Sequence, residues 1–98
     1  MSPVEVFARV AAGLQDRHAD VDRNRRGSLV LEGRGVRAMT SKGAIVVRLE
    51  PPRVLELVAS GEGRHYKGQV NAWLELADGL PEDRCRQLIE ESIERPGR

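Results

Sequence analysis

Over residues 44–49, large aliphatic residues at every second position alternate with Ala44, Val46 and Arg48, and the spacing then changes to that of a helix. The apolar positions of the alternating segment recur at every second residue; they are Ile45, Val47 and Leu49. This period of two is typical of a β-strand with one buried face. Pro51 and Pro52 end the segment, because proline lacks the N–H of a strand ladder but fits the first turn of a helix. The pattern therefore predicts a central strand followed directly by a helix over residues 53–60.

The apolar residues after the two prolines lie three or four positions apart, as on one face of a helix. We predict that this central helix buries Val54, Leu55, Leu57 and Val58. It should end at Gly61, because glycine takes the left-handed conformation of a helix cap most readily. The other elements are arranged around this strand and helix.

Two further helices are predicted, one near each end of the chain. Ser2, Pro3 and Glu5 form a capping box with proline at the first helical position, and the helix that they start should end near Arg17. Pro81 and the two acidic residues after it start the last helix, where the helix dipole favours negative charge. Both helices have an apolar stripe; the stripes are Val4, Phe7, Val10, Ala11 and Leu14, and Cys85, Leu88, Ile89 and Ile93.

Strand patterns also occur outside the central unit. They cover residues 28–32, 36–42 and 70–77. A glycine-flanked turn at residues 33–35 joins the first two, and turns this short make consecutive strands antiparallel neighbours. The charged segment 16–26 is predicted to be a solvated connection or a frayed helix end, and segment 62–69 an exposed loop.

These elements predict an α+β domain with an antiparallel β-sheet of about four strands and N-terminal, central and C-terminal helices. A chain of 98 residues is long enough for one hydrophobic core. We therefore expect a single domain over residues 1–94 and a flexible tail over residues 95–98, which contain no residue for the core.

Charge and composition limit the classes of function. The chain has 16 Lys and Arg against 15 Asp and Glu, so no overall field attracts a polyanion, and nucleic-acid binding would depend on local clusters. A lone Cys85 excludes an internal disulfide and fits a reducing cytoplasm. Since the sequence has neither a membrane-spanning run nor a secretory signal, we expect a soluble, cytoplasmic protein that has no membrane partner.

The residue types that carry catalysis are sparse. The two histidines, His18 and His65, lie in polar segments far apart in sequence, outside any nucleophile motif. Cys85 has the spacing of a buried helix residue, which favours packing over reactivity. No carboxylate cluster has the spacing of metal ligands. We therefore predict no catalytic residue, no metal and no cofactor, although a deep pocket lined by His65 and Glu75 would favour an enzyme.

Two groups of residues keep functional interest. The first is a cluster of arginines that would bind DNA phosphates as a basic patch. Glu32 is the one acidic residue near it. Its members are Arg23, Arg25, Arg26, Arg34 and Arg37. The alternative is a solvated hairpin end. The second group combines aromatic and basic side chains suited to a partner surface or a stacked base; it consists of His65, Tyr66, Lys67 and Trp73. For Trp73 the alternative is structural packing on the second side of the sheet, since it alternates with Leu74 and Leu76.

The run GRGVRAMTSKGAIVVRLEPPRVLELVASGEGRHY, followed by the tryptophan of VNAWLEL, resembles the TfoX N-terminal domain and the related MmcQ/YjbR proteins. The resemblance covers roughly residues 27–93. It implies an α+β domain in which a helix and an antiparallel sheet are joined by further helices. Members of this family are often named as DNA-binding or competence-related proteins, commonly without assigned chemistry.

Three functional hypotheses follow from these observations. The first is a small non-enzymatic interaction domain with an unknown protein partner or self-association through a sheet face. The alternative is a DNA-binding or regulatory protein that uses the arginine cluster. A small hydrolase or ligand-binding enzyme is the least favoured hypothesis.

Overall fold

Six strands form one antiparallel sheet, and three helices pack on it, in the computed structural model, which describes residues 2–68 and 71–96. The helices are α1 (Pro3–Arg17), α2 (Pro51–Ala59) and α3 (Glu82–Glu94). The strands are β1 (Val21–Arg23), β2 (Leu29–Leu31), β3 (Gly35–Ser41), β4 (Ala44–Arg48), β5 (Gly63–His65) and β6 (Trp73–Leu76), and a short 3-10 turn covers Tyr66–Gly68. The α+β class, the antiparallel sheet and the three helices are thereby confirmed.

The strand order in the sheet is β1-β2-β3-β4-β6-β5, and the predicted number of about four strands is wrong. The two additional strands, β1 and β5, lie at the two edges, in segments that we expected to be a connection and a loop. Each has only three residues, and their sequences, VDR and GRH, contain a single apolar residue between them, so no alternating pattern marks either strand. Val70, predicted to start the last strand, and Gly97 and Arg98 of the predicted tail lie outside the described residues.

The helix boundaries follow the predicted signals closely. The Ser2 hydroxyl accepts the Glu5 amide N–H at 3.3 Å, and the Glu5 carboxylate accepts the Ser2 amide N–H at 3.2 Å, which is the expected capping box. Helix α2 begins at Pro51, two residues earlier than predicted. At its end Gly61 has a φ of 80°, so the predicted left-handed cap is present.

Two residues predicted to face the core are exposed. Val4 is 48% exposed and Leu55 is 51% exposed. Successive residues of a helix are rotated by about 100°, so Leu55 falls outside the stripe centred on the buried Val54 and Leu57. The predicted stripe of the central helix was therefore too wide.

One hydrophobic core lies between the sheet and the helices. Side chains from all three helices, including Leu14, Leu57 and Leu88, pack against the same set of alternating sheet positions. These sheet positions are Val21, Leu29, Leu31, Ala38, Ile45, Val47, Leu74 and Leu76. The molecule measures only 21 Å in its shortest dimension, as expected of one layer of helices on one sheet.

Surface ion pairs join the elements of the helical layer. Helices α1 and α3 run parallel, and Arg9–Glu82, Arg17–Glu90 and His18–Glu94 pair along their seam at 3.0, 2.7 and 3.1 Å. Helix α2 is tied to α3 by Arg53, whose Nε lies 3.0 Å from the Glu91 carboxylate. Pro51 and Pro52 therefore fix the start of α2 directly after β4, and the pair Arg53–Glu91 holds this start against α3.

A β-bulge in β3 places a charged residue in the core. Leu29 pairs with Ala38 and Val30 with Val36, so Arg37 is the extra residue. Its side chain is directed to the helical layer, where Nε donates to the Ser92 carbonyl at 3.0 Å and Nη2 to the Arg48 carbonyl at 3.3 Å.

Arg37 is only 4% exposed, and Nη2 also donates to the carbonyl of Pro96, within the predicted tail. Burial lowers the pKa of Arg37, with smaller contributions from the positive charges of Arg48 and Arg34. Its cation lies at the carboxyl end of α3, where the helix dipole is negative.

We predict that Arg37→Met lowers the free energy of unfolding by about 2–4 kcal/mol, because buried carbonyl groups lose their donors. Urea denaturation of the purified protein measures this change. The matched control is Arg25→Met at an exposed turn position, which should change the free energy by less than about 0.5 kcal/mol. Equal effects of the two substitutions would contradict the structural role of Arg37.

The ion pair Glu62–Arg84 links the start of β5 to α3, and it should make the stability of the fold depend on pH. Hydrogen bonds from Arg84 and, to a smaller extent, from Ser60 hold the pKa of Glu62 below its usual range. A depressed folded-state pKa adds stability above the unfolded-state value of about 4.3, and that stability is lost as the pH falls through the folded-state pKa. Urea denaturation from neutral to acidic pH should show a smaller loss of stability in Glu62→Gln than in the wild type. Identical pH profiles would disprove the contribution of this pair.

Candidate interaction surface

The sheet has a second face that points away from the helices, which we call the open face. Side chains alternate between the two faces of a strand, so the residues between the core positions belong to it. They include Val30, Met39, Ser41, Ala44, Val46, Arg48, Arg64, Trp73 and Glu75. In the part of the chain that the structure describes, the core-forming residues of the helices all pack on the opposite side. Among the described residues, the open face is therefore a side of the sheet that no helix covers.

Val46 forms the centre of the open face and has no exposed surface. Its partners in the sheet are Met39 on β3 and Glu75 on β6, so neighbouring strands bury it without a helix. Because Ile45 and Val47 are buried on the helical side, β4 is buried on both faces. The prediction of a central strand with a single buried face is corrected by this observation.

Trp73 lies on the open face, beside the centre. It is directly opposite Arg48 in the register of β6 and β4, and the Arg48 guanidinium carbon is 5.9 Å from the centroid of the tryptophan ring. This distance is within the range of a cation–π interaction. The Trp73 amide N–H donates to Oδ1 of Asn71 at 2.7 Å, which fixes the start of β6. The sequence-based placement of Trp73 off the main apolar face is confirmed, and its side chain is partly exposed there.

Arg64 and Glu75 are opposite each other on β5 and β6 and form an ion pair on the open face. The Nε atom of Arg64 donates to the Glu75 carboxylate at 2.8 Å, and Nη2 donates to the same oxygen. The hydrogen bonds that Arg64 donates to Glu75 raise the pKa of Arg64. Glu75 is thus neutralised by its neighbour rather than available to a ligand.

A concave site occupies one end of the open face, and we call it the lysine cleft. It has a volume of about 410 Å³ and lies between the β3–β4 turn and the turn after β5. Its walls include Ser41, Lys42, Tyr66 and Lys67. The hydroxyl groups of Ser41 and Tyr66 are 3.0 Å apart, and Lys67 Nζ is 5.5 Å from the centroid of the Tyr66 ring.

Both lysines of the cleft have a left-handed backbone conformation. Lys42 has a φ of 51° and Lys67 a φ of 57°, and they are the two non-glycine residues with positive φ in the described residues. Lys42 is followed by Gly43 with a φ of 82°, as in a two-residue hairpin turn. A left-handed conformation costs an L-residue other than Gly, Asn or Asp roughly 1–2 kcal/mol. Both exposed ammonium groups are therefore presented from strained turns.

The predicted arginine cluster does not come together as one surface. Arg25 and Arg26 are exposed neighbours in the β1–β2 turn, whereas Arg34 lies in the turn at the opposite end of β2. Arg23 donates from Nε to the Gly27 carbonyl at 3.0 Å, and its guanidinium carbon is 5.9 Å from the centroid of the Phe7 ring. Since Arg37 is buried in the bulge, only Arg25 and Arg26 remain adjacent and exposed.

The predicted group of His65, Tyr66, Lys67 and Trp73 does not lie on one face of the sheet. Tyr66 and Lys67 line the lysine cleft, and Trp73 is on the open face. His65 pairs with Leu74 and is therefore directed to the helical side, where its Nδ1 is buried without a hydrogen-bond partner among the described residues. Glu75 lines the lysine cleft, so His65 and Glu75 are on opposite faces and do not line a common pocket.

The remaining chemical groups are dispersed. His18 pairs with Glu94 at the surface of the helical layer. Cys85 is 8% exposed, and burial raises the pKa of its thiol. Within residues 2–68 and 71–96, no three His, Cys, Asp or Glu side chains are grouped so that they could hold a metal ion.

Sequence reasoning missed Met39, Lys42 and Arg48 as members of the surface. The alternation within β4 already places Arg48 opposite to the core residues, and the same holds for Met39 beside Ala38. Arg48 lies beside Trp73 because β4 pairs with β6, and the sequence pattern does not reveal this pairing. That pairing joins strands that are separated by the whole of α2 and β5.

Comparisons with known proteins return no relative. No protein-family model matches the chain, and no curated protein or solved structure matches it. The resemblance to the TfoX and MmcQ/YjbR families therefore stays a prediction from the sequence pattern. Among the described helices, none combines the length and the apolar character needed to cross a bilayer.

The strained turns of the cleft give a prediction about stability. We expect Lys42→Asn and Lys67→Asn to keep or raise the free energy of unfolding, by up to about 1 kcal/mol each, since asparagine tolerates positive φ. Lys42→Val should lower it, because a β-branched residue is disfavoured in this conformation. Thermal and urea denaturation of the three variants measure the effect. Destabilisation by both asparagine substitutions would show that the lysine side chains, rather than their backbones, support the fold.

Proposed function

We propose that this chain is a small non-enzymatic interaction domain that binds its partner on the open face of its β-sheet. One observation carries the proposal: the helices cover one side of the sheet, and on the uncovered side the apolar side chains of Met39 and Trp73 are only partly buried, around the fully buried Val46.

The composition of the open face supports this function. Tryptophan and arginine are the residue types that contribute most often to binding hot spots, and Trp73 and Arg48 are adjacent here. On the same face, the partly buried Met39 adds apolar surface beside the buried Val46, and charged side chains such as Arg64 form a rim. This is the usual arrangement of a protein surface that binds a partner.

The dispersal of reactive groups favours binding over catalysis. Catalysis by a histidine requires a partner within hydrogen-bond reach in a common site. His18 is at the seam of α1 and α3, and His65 is on the other side of the sheet from the lysine cleft. A hydrolase or ligand-binding enzyme therefore remains the least favoured hypothesis.

A DNA-binding or regulatory role through the arginine cluster has weaker support. It would depend on Arg25 and Arg26 alone, because the other three arginines are elsewhere or are engaged with the protein. The TfoX/YjbR-like assignment, which favours such a role, depends on the sequence pattern of residues 27–93. A cytoplasmic location is part of the proposal and depends chiefly on the lone Cys85.

Site-directed photo-crosslinking tests the proposed binding face. We would attach a thiol-reactive photo-crosslinker to Met39→Cys on the open face and to Leu55→Cys on α2, as a matched exposed position in the helical layer. The native Cys85 should react slowly, because it is buried and has a raised pKa. In cell extract, we expect adducts from position 39 that excess unlabelled protein suppresses.

Position 55 should give no adducts that unlabelled protein suppresses. Adducts with a second copy of the chain would identify self-association as the interaction. The proposal is contradicted if both positions give the same adducts, or if unlabelled protein suppresses none of those from position 39.

A further inference from the structure

We propose that the open face binds single-stranded nucleic acid, with an unpaired base stacked on Trp73 and the sugar-phosphate backbone directed to the lysine cleft. This inference depends on the proposed function and names the partner class of that surface. It uses different residues and a different ligand from the arginine hypothesis.

Trp73 provides the platform for a base. Its indole ring is partly exposed on a sheet face, and the guanidinium group of Arg48 lies against the ring at 5.9 Å from the centroid. Bases that are not paired stack on aromatic rings and on arginine planes, irrespective of their identity. The two side chains together offer such a stacking surface beside the buried floor at Val46.

The cations of this face are available to phosphates. Among the described residues, Lys42, Arg48 and Lys67 have no carboxylate within ion-pair distance. Two carboxylates also line the lysine cleft: Glu75 is paired with Arg64, and the negative charge of Asp78 acts on the same guanidinium group. Lysine ammonium groups bind phosphate as point charges, and the release of counterions drives such binding.

The two ends of the face are spaced for an extended strand. Ala44 lines the lysine cleft, and Arg48 contacts Trp73 at the other end of β4. Four residues of a β-strand cover roughly 13 Å. A ligand that uses both ends must therefore be extended, and a nucleic-acid strand, which repeats a base and a phosphate in every unit, meets this requirement.

The charge distribution disfavours the other occupants of this face. A second copy in a two-fold arrangement would bring Lys42, Arg48 and Lys67 of one copy against the same residues of the other. Duplex DNA keeps its bases stacked on each other, so they are not available to Trp73. Single strands satisfy both the aromatic and the cationic part of the surface.

Binding of a labelled oligonucleotide of about ten residues, followed by fluorescence anisotropy, tests the inference. With three phosphate contacts, we expect affinity for single-stranded DNA or RNA to fall about 20-fold between roughly 50 and 200 mM salt. The intrinsic emission of Trp73, the single tryptophan of the chain, should be quenched by an unlabelled oligonucleotide. Duplex of the same sequence should bind more weakly.

Three variants separate stacking from charge. Trp73→Ala should weaken binding roughly 5- to 150-fold, which is the range for one stacked base, and Trp73→Phe should retain most of the affinity. Lys42→Asn/Lys67→Asn should reduce the salt effect from about 20-fold to about 3-fold, since one of three contacts remains. The matched control, Arg25→Ala/Arg26→Ala, removes two charges near the opposite edge of the sheet and should leave the salt effect unchanged.

The outcomes also distinguish this inference from the proposed function. Failure of single strands to bind at the lower salt overturns the inference. If, in addition, sedimentation shows a dimer that Trp73→Ala dissociates, the open face binds a second copy and the proposed function is retained. Binding that survives Trp73→Ala but is lost in Arg25→Ala/Arg26→Ala would move nucleic-acid recognition to the arginine turn and overturn the inference, while the crosslinking experiment would still decide the proposed function. Thermal unfolding of each variant verifies that it is folded.

Discussion

The position of β4 in the sheet is the constraint on which the other features depend. It pairs with β3 on one side and β6 on the other, and its apolar residues are buried on both faces. Only one of these faces is covered by helices, so the other must be closed by neighbouring strands alone. Met39 and Glu75 do this for Val46, so the apolar surface that stays accessible on this face comes from partly buried residues such as Met39 and Trp73. The burial of apolar side chains that stabilises the sheet thus also determines which residues form the surface proposed for binding.

Patterns longer than about five residues were sufficient to predict most of the fold. The three helices, the hairpin of β2 and β3 and the central strand all have a period or a cap that acts locally, such as the Ser2–Glu5 capping box. The edge strands β1 and β5 have three residues each, and their conformation is imposed by pairing with β2 and β6. Interactions between distant segments therefore explain why four strands were expected and six are present.

The candidate site was less accessible to sequence reasoning than the fold. Trp73 could be placed off the core by its alternation with Leu74, but its partner Arg48 depends on a pairing between strands far apart in sequence. The five arginines looked equivalent because sequence proximity says little about burial. One of them, Arg37, is withdrawn from the surface by a register shift that no composition or charge pattern signals. Charge clusters in a sequence therefore predict a surface only after strand register is known.

The bulge at Arg37 has a consequence for insertions and deletions. In this sheet, core residues and residues proposed to bind a partner alternate along the same strands. One residue inserted into β4 would therefore turn the following core side chains to the open face and the open-face side chains to the core. At the bulge the sheet has already absorbed one extra residue, and the hydrogen bonds of Arg37 hold it in place. Length variation among sequences with this architecture should therefore concentrate in the turns, while the bulge of β3, β4 and β6 keep a constant length.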